Sequence, residues 1–392
     1  MNNPIRKLLW VAPGDPEKSL DSATWLDTSR ELNQSGWNVT LLAVGDGKSK
    51  TLKGVHVYGV SRPEIYLMRQ LVFHARALSY IYRRLNSTDV VLFHSMSAPW
   101  MLALAMLMRL QKRRLPALVM DTRTVDMAPA SRGRWKDSIR RNYHAFVEKS
   151  VNRWVDGRLA ITPRMAAYVN IPHEKLWGVW PSGVNAELFQ TARSARTWPA
   201  SGAPIQLVYV GVLNYERNLM NLSSAVVKAN AEGAQIAFSM VGDGNQKDEL
   251  EKFAATTDGC VRVLPRVDHS QVPGVLSRAH IGVLPFPDEE KFQVSSPIKL
   301  FEYMASGLPI LATRIACHTD VIGYGDYVIW MEGSDEESLL AALRQVWKKS
   351  GELCGMGGRA AIASKAWTWS ESARKLKTAL ETGLDNLAIR KA

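Results

Sequence analysis

Cysteine is scarce in this chain: Cys260, Cys317 and Cys354 stand far apart and have no histidine companions. That count and spacing exclude a disulfide scaffold or a zinc finger and point to a reducing compartment. Long apolar runs are missing as well. The longest, Pro99 to Met108, stops at Arg109, short of the roughly 20 residues that cross a bilayer. Met1 to Pro13 holds only the short core L-L-W-V, far below a secretory signal. A cytoplasmic protein is expected. No D-x-D pair suited to Mg²⁺ occurs, so no metal is expected. RNP, helix-turn-helix and zinc-finger signatures are absent, which turns the reading away from nucleic acid.

What is present suits a globular protein of two domains. The chain has 392 residues, 46% hydrophobic and 22% charged, too long for one compact core and too apolar for disorder. Its net charge of +12 is unevenly divided. Residues 1–196 hold 29 Lys and Arg against 15 Asp and Glu, a net of +14; the remainder holds 20 against 22, a net of −2. The excess gathers at Arg69, Arg76, Arg83 and Arg84, at Arg109 with Lys112 to Arg114, and at Arg132 to Arg141. Tyr80, Tyr82, Trp100, Met106, Met108 and Trp135 lie among them. Basic and large apolar residues together form the composition of a surface that rests on anionic lipid.

Short β-branched apolar runs alternate with segments of helical period, the pattern of parallel sheets covered by helices. Strands are expected at 8–12, 39–43, 55–58, 90–93, 117–120 and 157–160. A polar stretch after Gln190, T-A-R-S-A-R-T-W-P-A-S-G-A-P, reads as a linker. A second series then follows at 205–210, 235–241, 261–264, 281–285, 310–313 and 327–330. The expected fold is therefore α/β with two Rossmann-like, doubly wound domains, 1–196 and 197–369. Ligands are expected in a cleft between facing strand ends, and a helix near 370–392 is expected to pack back on the first domain.

Four elements of the second half carry chemistry. Val208 to Leu222 runs from a strand through Gly211 into a helix and places Arg217 six residues on, where a planar fork of donors meets phosphate. Ser239 to Asn245 ends a strand in a G-D-G turn, Gly242 to Gly244. Val261 to Phe286 contains L-P-R-V-D-H and ends in I-G-V-L-P-F, so that backbone around Val267 could lie along a base. Val294 to Ile310 reads as a helix with Ser296 as its cap and Pro297 at the first helical position, an anion-holding start. Glu302 lies about a turn and a half further on, placed to accept two vicinal hydroxyls.

In this order the four elements resemble the nucleotide-sugar domain of GT-B glycosyltransferases, specifically the large retaining family 4. The resemblance implies that Arg217 takes the place of the diphosphate-binding lysine and Glu302 that of the ribose-binding glutamate. Val212 and Val294 depart from the family's arginine and first glutamate. Ser295, Ser296, Pro297 and Lys299 resemble a subgroup written P-x-K-x-x-E-Y-M-A-x-G, in which backbone N–H groups take over the sugar contact and Lys299 adds charge beside the diphosphate.

The first half resembles the acceptor domain of the same family. V-W-P-S-G-V-N-A-E-L-F, residues 179–189, is similar to its P-N-G-V-D element, and D-V-V-L-F-H, ending at His94, to its D-x-x-x-x-H strand. Arg123 falls where many members have a histidine near the reacting sugar, with Asp121 two before it. For Asp121 and Arg123 a buried structural ion pair is the other reading, and for His94 a hydrogen-bonded strand end. Gly14 and Asp15 stand at the family's first glycine loop.

The resemblance implies sugar transfer from a nucleoside diphosphate donor to an acceptor hydroxyl with the anomeric configuration kept. Arg217, Lys299 and the Ser296 helix start would stabilise the leaving diphosphate. The basic first half suggests a lipid-linked saccharide acceptor at the cytoplasmic membrane face, in bacterial surface polysaccharide assembly. Three other readings stay open: a catalytically weak GT-B partner subunit, supported by Val212 and Val294, an epimerase-like GT-B enzyme, and peripheral membrane binding without chemistry.

Overall fold

A computed structural model describes residues 5–19, 21–110, 115–125, 134–200 and 202–391. Side chains at 66, 67, 134–137, 139–141 and 391 are outside that description, as are Lys112 to Arg114 and Arg132. The basic clusters expected there, with Trp135, therefore lie outside the described residues.

The chain divides into two compact units, residues 1–183 with 369–392, and residues 184–368. The strands of the first are β1 (Arg6–Ala12), β2 (Trp37–Val44), β3 (Ser49–Leu52), β4 (Val55–Val60), β5 (Val90–His94), β6 (Ala117–Thr122), β7 (Gly157–Ala160) and β8 (Leu176–Val179). They lie in the order β3-β4-β2-β1-β5-β6-β7-β8. All neighbours are parallel except the β3–β4 hairpin. The polar strand S-K-T-L of β3 and the short β8 carry too little apolar periodicity to be legible in the sequence.

Helices α1 (Ser22–Gln34), α2 (Tyr66–Tyr82), α3 (Ala98–Leu110), α4 (Arg134–Val151) and α5 (Pro163–Tyr168) fill the crossovers. Successive residues of β1 feed opposite faces of the sheet. Leu8, Trp10 and Ala12 join one core cluster with Leu26 of α1, while Leu9 and Val11 join another with Phe73, Met101 and Val147 of α2, α3 and α4. A strand buried on both faces reads as a continuous apolar run, which is why R-K-L-L-W-V-A could be recognised.

The second unit opens with α6 (Ala186–Ala195), whose N-cap Asn185 accepts from the Leu188 amide at 3.1 Å. The domain division thus falls at Gly183/Val184, because α6 packs on α9 (Val272–Leu276) and α11 (Ile298–Ala305) of the second unit. The linker expected after Gln190 is likewise corrected. Arg196 is buried and donates to the carbonyls of Leu276, Ala279, Ser306 and Gly307 at 2.7–3.0 Å. Those oxygens lie at two helix ends, where backbone carbonyls run short of intrahelical donors, although that of Leu276 also accepts from the Ala279 amide at 3.2 Å.

Six parallel strands follow: β9 (Ile205–Val212), β10 (Ile236–Asp243), β11 (Val261–Leu264), β12 (Ile281–Leu284), β13 (Ile310–Thr313) and β14 (Val328–Met331). Their order is β11-β10-β9-β12-β13-β14. The covering helices are α7 (Leu219–Ala231), α8 (Lys247–Ala254), α10 (Glu290–Gln293), α12 (Ala316–Ile322), α13 (Glu336–Lys348) and α14 (Leu353–Ala363). The last helix, α15 (Trp369–Lys391), belongs to the first unit, where it lies against α1 and β8. Trp367, two residues before it, stays with the second unit and stacks on Phe301 of α11 at 5.0 Å.

In each sheet the winding direction reverses once, between β1 and β5 in the first and between β9 and β12 in the second. The crevice outside the carboxyl ends of such strands is where doubly wound sheets bind ligands.

Candidate active site

At the β9/β12 reversal the backbone is cleared by glycine. Gly211 and Gly242 face each other across β9 and β10. A Cβ on Gly242 would stand 1.8 Å from the Gly211 carbonyl oxygen, and one on Gly244 2.3 Å from that of Leu213. Gly211 has a φ of +147° and a different neighbour: a Cβ there would stand 2.1 Å from Cε of Lys299. The glycine therefore makes room for a lysine crossing from α11 over the end of β9. Gly211→Ala is expected to strain the backbone by about 1 kcal/mol and to push the Lys299 ammonium off its position. Nucleotide affinity would then fall more than melting temperature, which titration calorimetry beside a melting curve checks.

Lys299 is half-buried, its Nζ 5.7 Å from the centre of the Tyr209 ring. Its ammonium is pulled down to about 8 by burial and then by the Arg217 charge, against the pull of Glu302. Arg217 ends a short turn after β9, its guanidinium 5.1 Å from the ring centres of both Phe286 and Phe292, which stack at 5.0 Å. Its Nε is buried and has no hydrogen-bond partner. Among the described residues neither cation makes an ion pair. Two neighbouring positive charges with no carboxylate in ion-pair contact are costly for a fold to hold and suit an anion that arrives from outside.

The start of α11 corrects one expectation. Pro297 is the N-cap, with φ −75° and ψ 107°, the helix begins at Ile298, and no side chain caps it. Proline forces the residue before it out of the helical region, so Ser296 lies outside the helix. Ser295 instead donates to the Phe292 carbonyl at 2.8 Å. Val294 is buried. The side chain of Val267 packs against the core of the second unit.

Glu302 sits in α11 with 7% of its surface exposed. Its Oε1 accepts from His269 Nε2 at 2.8 Å. His269 is the functional neighbour that sequence reasoning missed. It lies 33 positions away in the turn after β11, and a lone histidine in a polar loop gives no local signal. Helix α11 is fixed from beneath by Tyr303, whose hydroxyl accepts from the Val210 amide at 2.9 Å.

In the first unit His94 and Asp121 face each other at the ends of β5 and β6. Arg123 lies over Trp180, its Cζ 3.7 Å from the ring centre, and donates to the Trp180 carbonyl and the Ser182 hydroxyl. Asp121 accepts from the Trp180 indole at 3.1 Å and lies 3.8 Å from Arg123. Burial pushes its carboxyl up to about 6, against Arg123, Trp180 and Arg158. This is the arrangement of a buried structural pair. His94 contacts Ser95 and Thr124 through its two ring nitrogens, and burial, then Arg123 and His144, hold it down to about 4. Gly14 is explained by packing: a Cβ there would stand 2.8 Å from the Trp25 ring.

Two doubly wound units, one with a cationic and acidic crevice at its reversal point, make up the GT-B fold. Similar solved structures include sucrose-phosphate synthase from Thermosynechococcus elongatus, with TM-score 0.75 and 16% identity over 99% of this chain and 100% of that one. The catalytic domain of starch synthase IV from Arabidopsis thaliana bound to ADP and acarbose gives 0.74 at 11% identity, covering 98% and 100%. Anabaena HepE in complex with UDP gives 0.69 at 15%, covering 96% and 100%. The chain belongs to the GT-B glycosyltransferases: residues 22–175 match the family described as Glycosyl transferase 4-like domain, and residues 204–349 that described as Glycosyl transferases group 1. Glycogen synthase of Mycobacterium tuberculosis is 27% identical over 157 residues, 40% of this chain and 36% of that protein, so the match spans about a third of the relative's length.

Proposed function

We propose that the chain transfers a sugar from a nucleoside diphosphate sugar to an acceptor hydroxyl, with retention at the anomeric carbon. The observation that carries this is the pair Arg217 and Lys299, unpaired beside the glycine-cleared end of β9, with Glu302 on the same helix as Lys299. Anabaena HepE binds UDP on the same fold, which supports a nucleotide donor. In the reaction the bond from the anomeric carbon to the diphosphate breaks. The acceptor oxygen bonds that carbon from the same face, and its proton passes to the leaving phosphate. Arg217, Lys299 and the first amides of α11 neutralise the departing charge, so no metal is required. Glu302 holds the ribose.

Screening UDP, GDP, ADP, TDP and CDP by thermal shift tests this reading. The correct nucleotide at 100 times its Kd adds about 2.7 kcal/mol, a rise of about 5 °C or more. Glu302→Ala is expected to abolish most of the rise while leaving the unliganded melting temperature within a few degrees. No shift with any nucleotide would sink the proposal.

The acceptor in this reading is a lipid-linked saccharide at an anionic membrane, in surface polysaccharide assembly on the cytoplasmic side. Among the described residues no helix is long and apolar enough to cross a membrane, so the contact would be peripheral. Its support is the face formed by α2, α3 and α4. Met68, Leu71, Leu107, Leu110 and Phe146 are exposed there, and Leu78 and Tyr82 of α2 line a groove with Leu104 and Leu107 of α3. Arg83 and Arg109 are exposed near the ends of α2 and α3. Each basic side chain near such a surface contributes about 1 kcal/mol. Arg83→Ala with Arg109→Ala is therefore expected to weaken binding to phosphatidylglycerol vesicles by about 10–30-fold. Cosedimentation measures it, and binding to neutral and anionic vesicles alike would contradict the charge argument.

A further inference from the structure

We infer that His269 is a positioning residue for Glu302, and that through it the site selects ribonucleoside diphosphates over their 2′-deoxy counterparts, thymidine diphosphate included. The inference rests on the nucleotide-sugar reading above and deepens it to a substrate class.

The geometry is that of a held carboxylate. His269 Nε2 donates to Glu302 Oε1 at 2.8 Å, and because an ionised carboxylate only accepts, the tautomer with the proton on Nε2 is the one that fits. The imidazole side chain is 52% exposed and the carboxylate beneath it 10%, so the ring stands at the mouth and the acid behind it. Neither is free to turn. His269 begins a one-turn 3₁₀ helix closed by a capping box between Asp268 and Gln271, and its ring meets Phe189 of α6 edge-on at 5.7 Å. On the other side α11 is held by the Trp367 stack on Phe301 and by the Tyr303 hydroxyl.

A carboxylate with one oxygen anchored has the direction of its second oxygen set by its own plane. Two vicinal hydroxyls can then donate to one fixed acceptor group. When the 2′-hydroxyl is absent, a buried acceptor loses its partner and cannot swing to recover one. Sites built to bond a hydroxyl reject the analogue lacking it far more strongly than apolar sites reject an extra group. Without His269 the acid can rotate, and the penalty for the deoxy ligand disappears along with part of the affinity for the ribo ligand.

The test is calorimetry on the full chain with whichever of UDP, GDP, ADP or CDP binds best, and with its 2′-deoxy form. The parent is expected to bind the deoxy form about tenfold or more weakly. His269→Ala is expected to bring the ratio near one, chiefly by weakening the ribo ligand. His269→Gln, whose amide N–H reaches the place of Nε2, is expected to keep the parent's ratio. If His269→Ala lowers both ligands by the same factor, or changes neither, His269 is only a tie between the turn and α11 and the inference fails. It fails too if the glutamine protein loses discrimination as the alanine protein does, or if the parent never discriminates. A parent that binds TDP but none of the four overturns the inference and leaves the proposed function standing, whereas one that binds none of the five overturns the proposed function itself. Should His269→Ala not fold, His269→Asn, too short to reach Glu302, carries the same expected ratio.

Discussion

Alanine in place of Arg217 is expected to lower transfer by about 10²–10³-fold, the usual cost of removing one preorganised donor from developing charge. The guanidinium is held beside Phe286 and Phe292 before any ligand arrives, and its Nε already lacks a partner. Little reorganisation is therefore needed when the diphosphate departs. Charge on the leaving oxygen grows toward the transition state, so kcat should fall with kcat/KM rather than KM rising alone. Arg217→Lys keeps the charge and loses the planar fork, and an intermediate loss is expected. Initial rates with the donor identified by thermal shift measure this. An unchanged kcat in Arg217→Ala would remove the residue from the chemistry.

Lys299→Met separates binding from stability. The folded ammonium titrates near 8, below its ordinary 10.5, because burial and Arg217 disfavour its charge. The sign follows. The charged form costs the fold stability in full below pH 8, and that cost shrinks as pH rises from about 8 toward 10.5. Methionine is thus expected to raise the unliganded melting temperature at pH 7 and to confer less advantage at pH 9. Nucleotide binding runs the other way. A diphosphate favours the ammonium, so the parent takes up a proton on binding above pH 8, and its affinity drops by up to about tenfold for each further pH unit. The methionine protein is expected to bind weakly and without that slope. Calorimetry in buffers of different ionisation enthalpy reads the proton directly. A variant less stable than the parent at pH 7, or a parent whose affinity is flat from pH 7 to 9, would contradict the assignment.

Such a trade is familiar where function needs an unpaired charge held ready. In the first unit the opposite holds. Arg123 donates to the Trp180 carbonyl and the Ser182 hydroxyl, and Asp121 accepts from the Trp180 indole. The two halves carry similar residue types at similar strand ends. Among the described residues, Arg217 and Lys299 at the strand ends of the second make no ion pair and meet only aromatic rings.

Much of this was legible in the sequence. Apolar runs of β-branched residues marked twelve of the strands, and the segment V-G-V-L-N-Y-E-R set Gly211 and Arg217 at the end of one of them. The missed strands β3 and β8 are polar or short, and α6 was hidden in a stretch whose composition resembles a linker. There the deciding fact was Arg196, a charged side chain buried because four carbonyls meet it. Likewise Ser296 read as a cap, and the proline after it moved the helix start by one residue.

The linear order of residues by itself determined two parallel sheets, the ends at which their glycines fall, and the uneven charge of the two halves. Strand period and crossover handedness are local or nearly so, and side-chain type reports them. Tertiary structure alone decided that His269 would meet Glu302, that Lys299 would cross Gly211, and that Trp180 would take up Arg123. Each of those contacts depends on how separate elements slide and rotate against one another, and packing of the whole core sets that register.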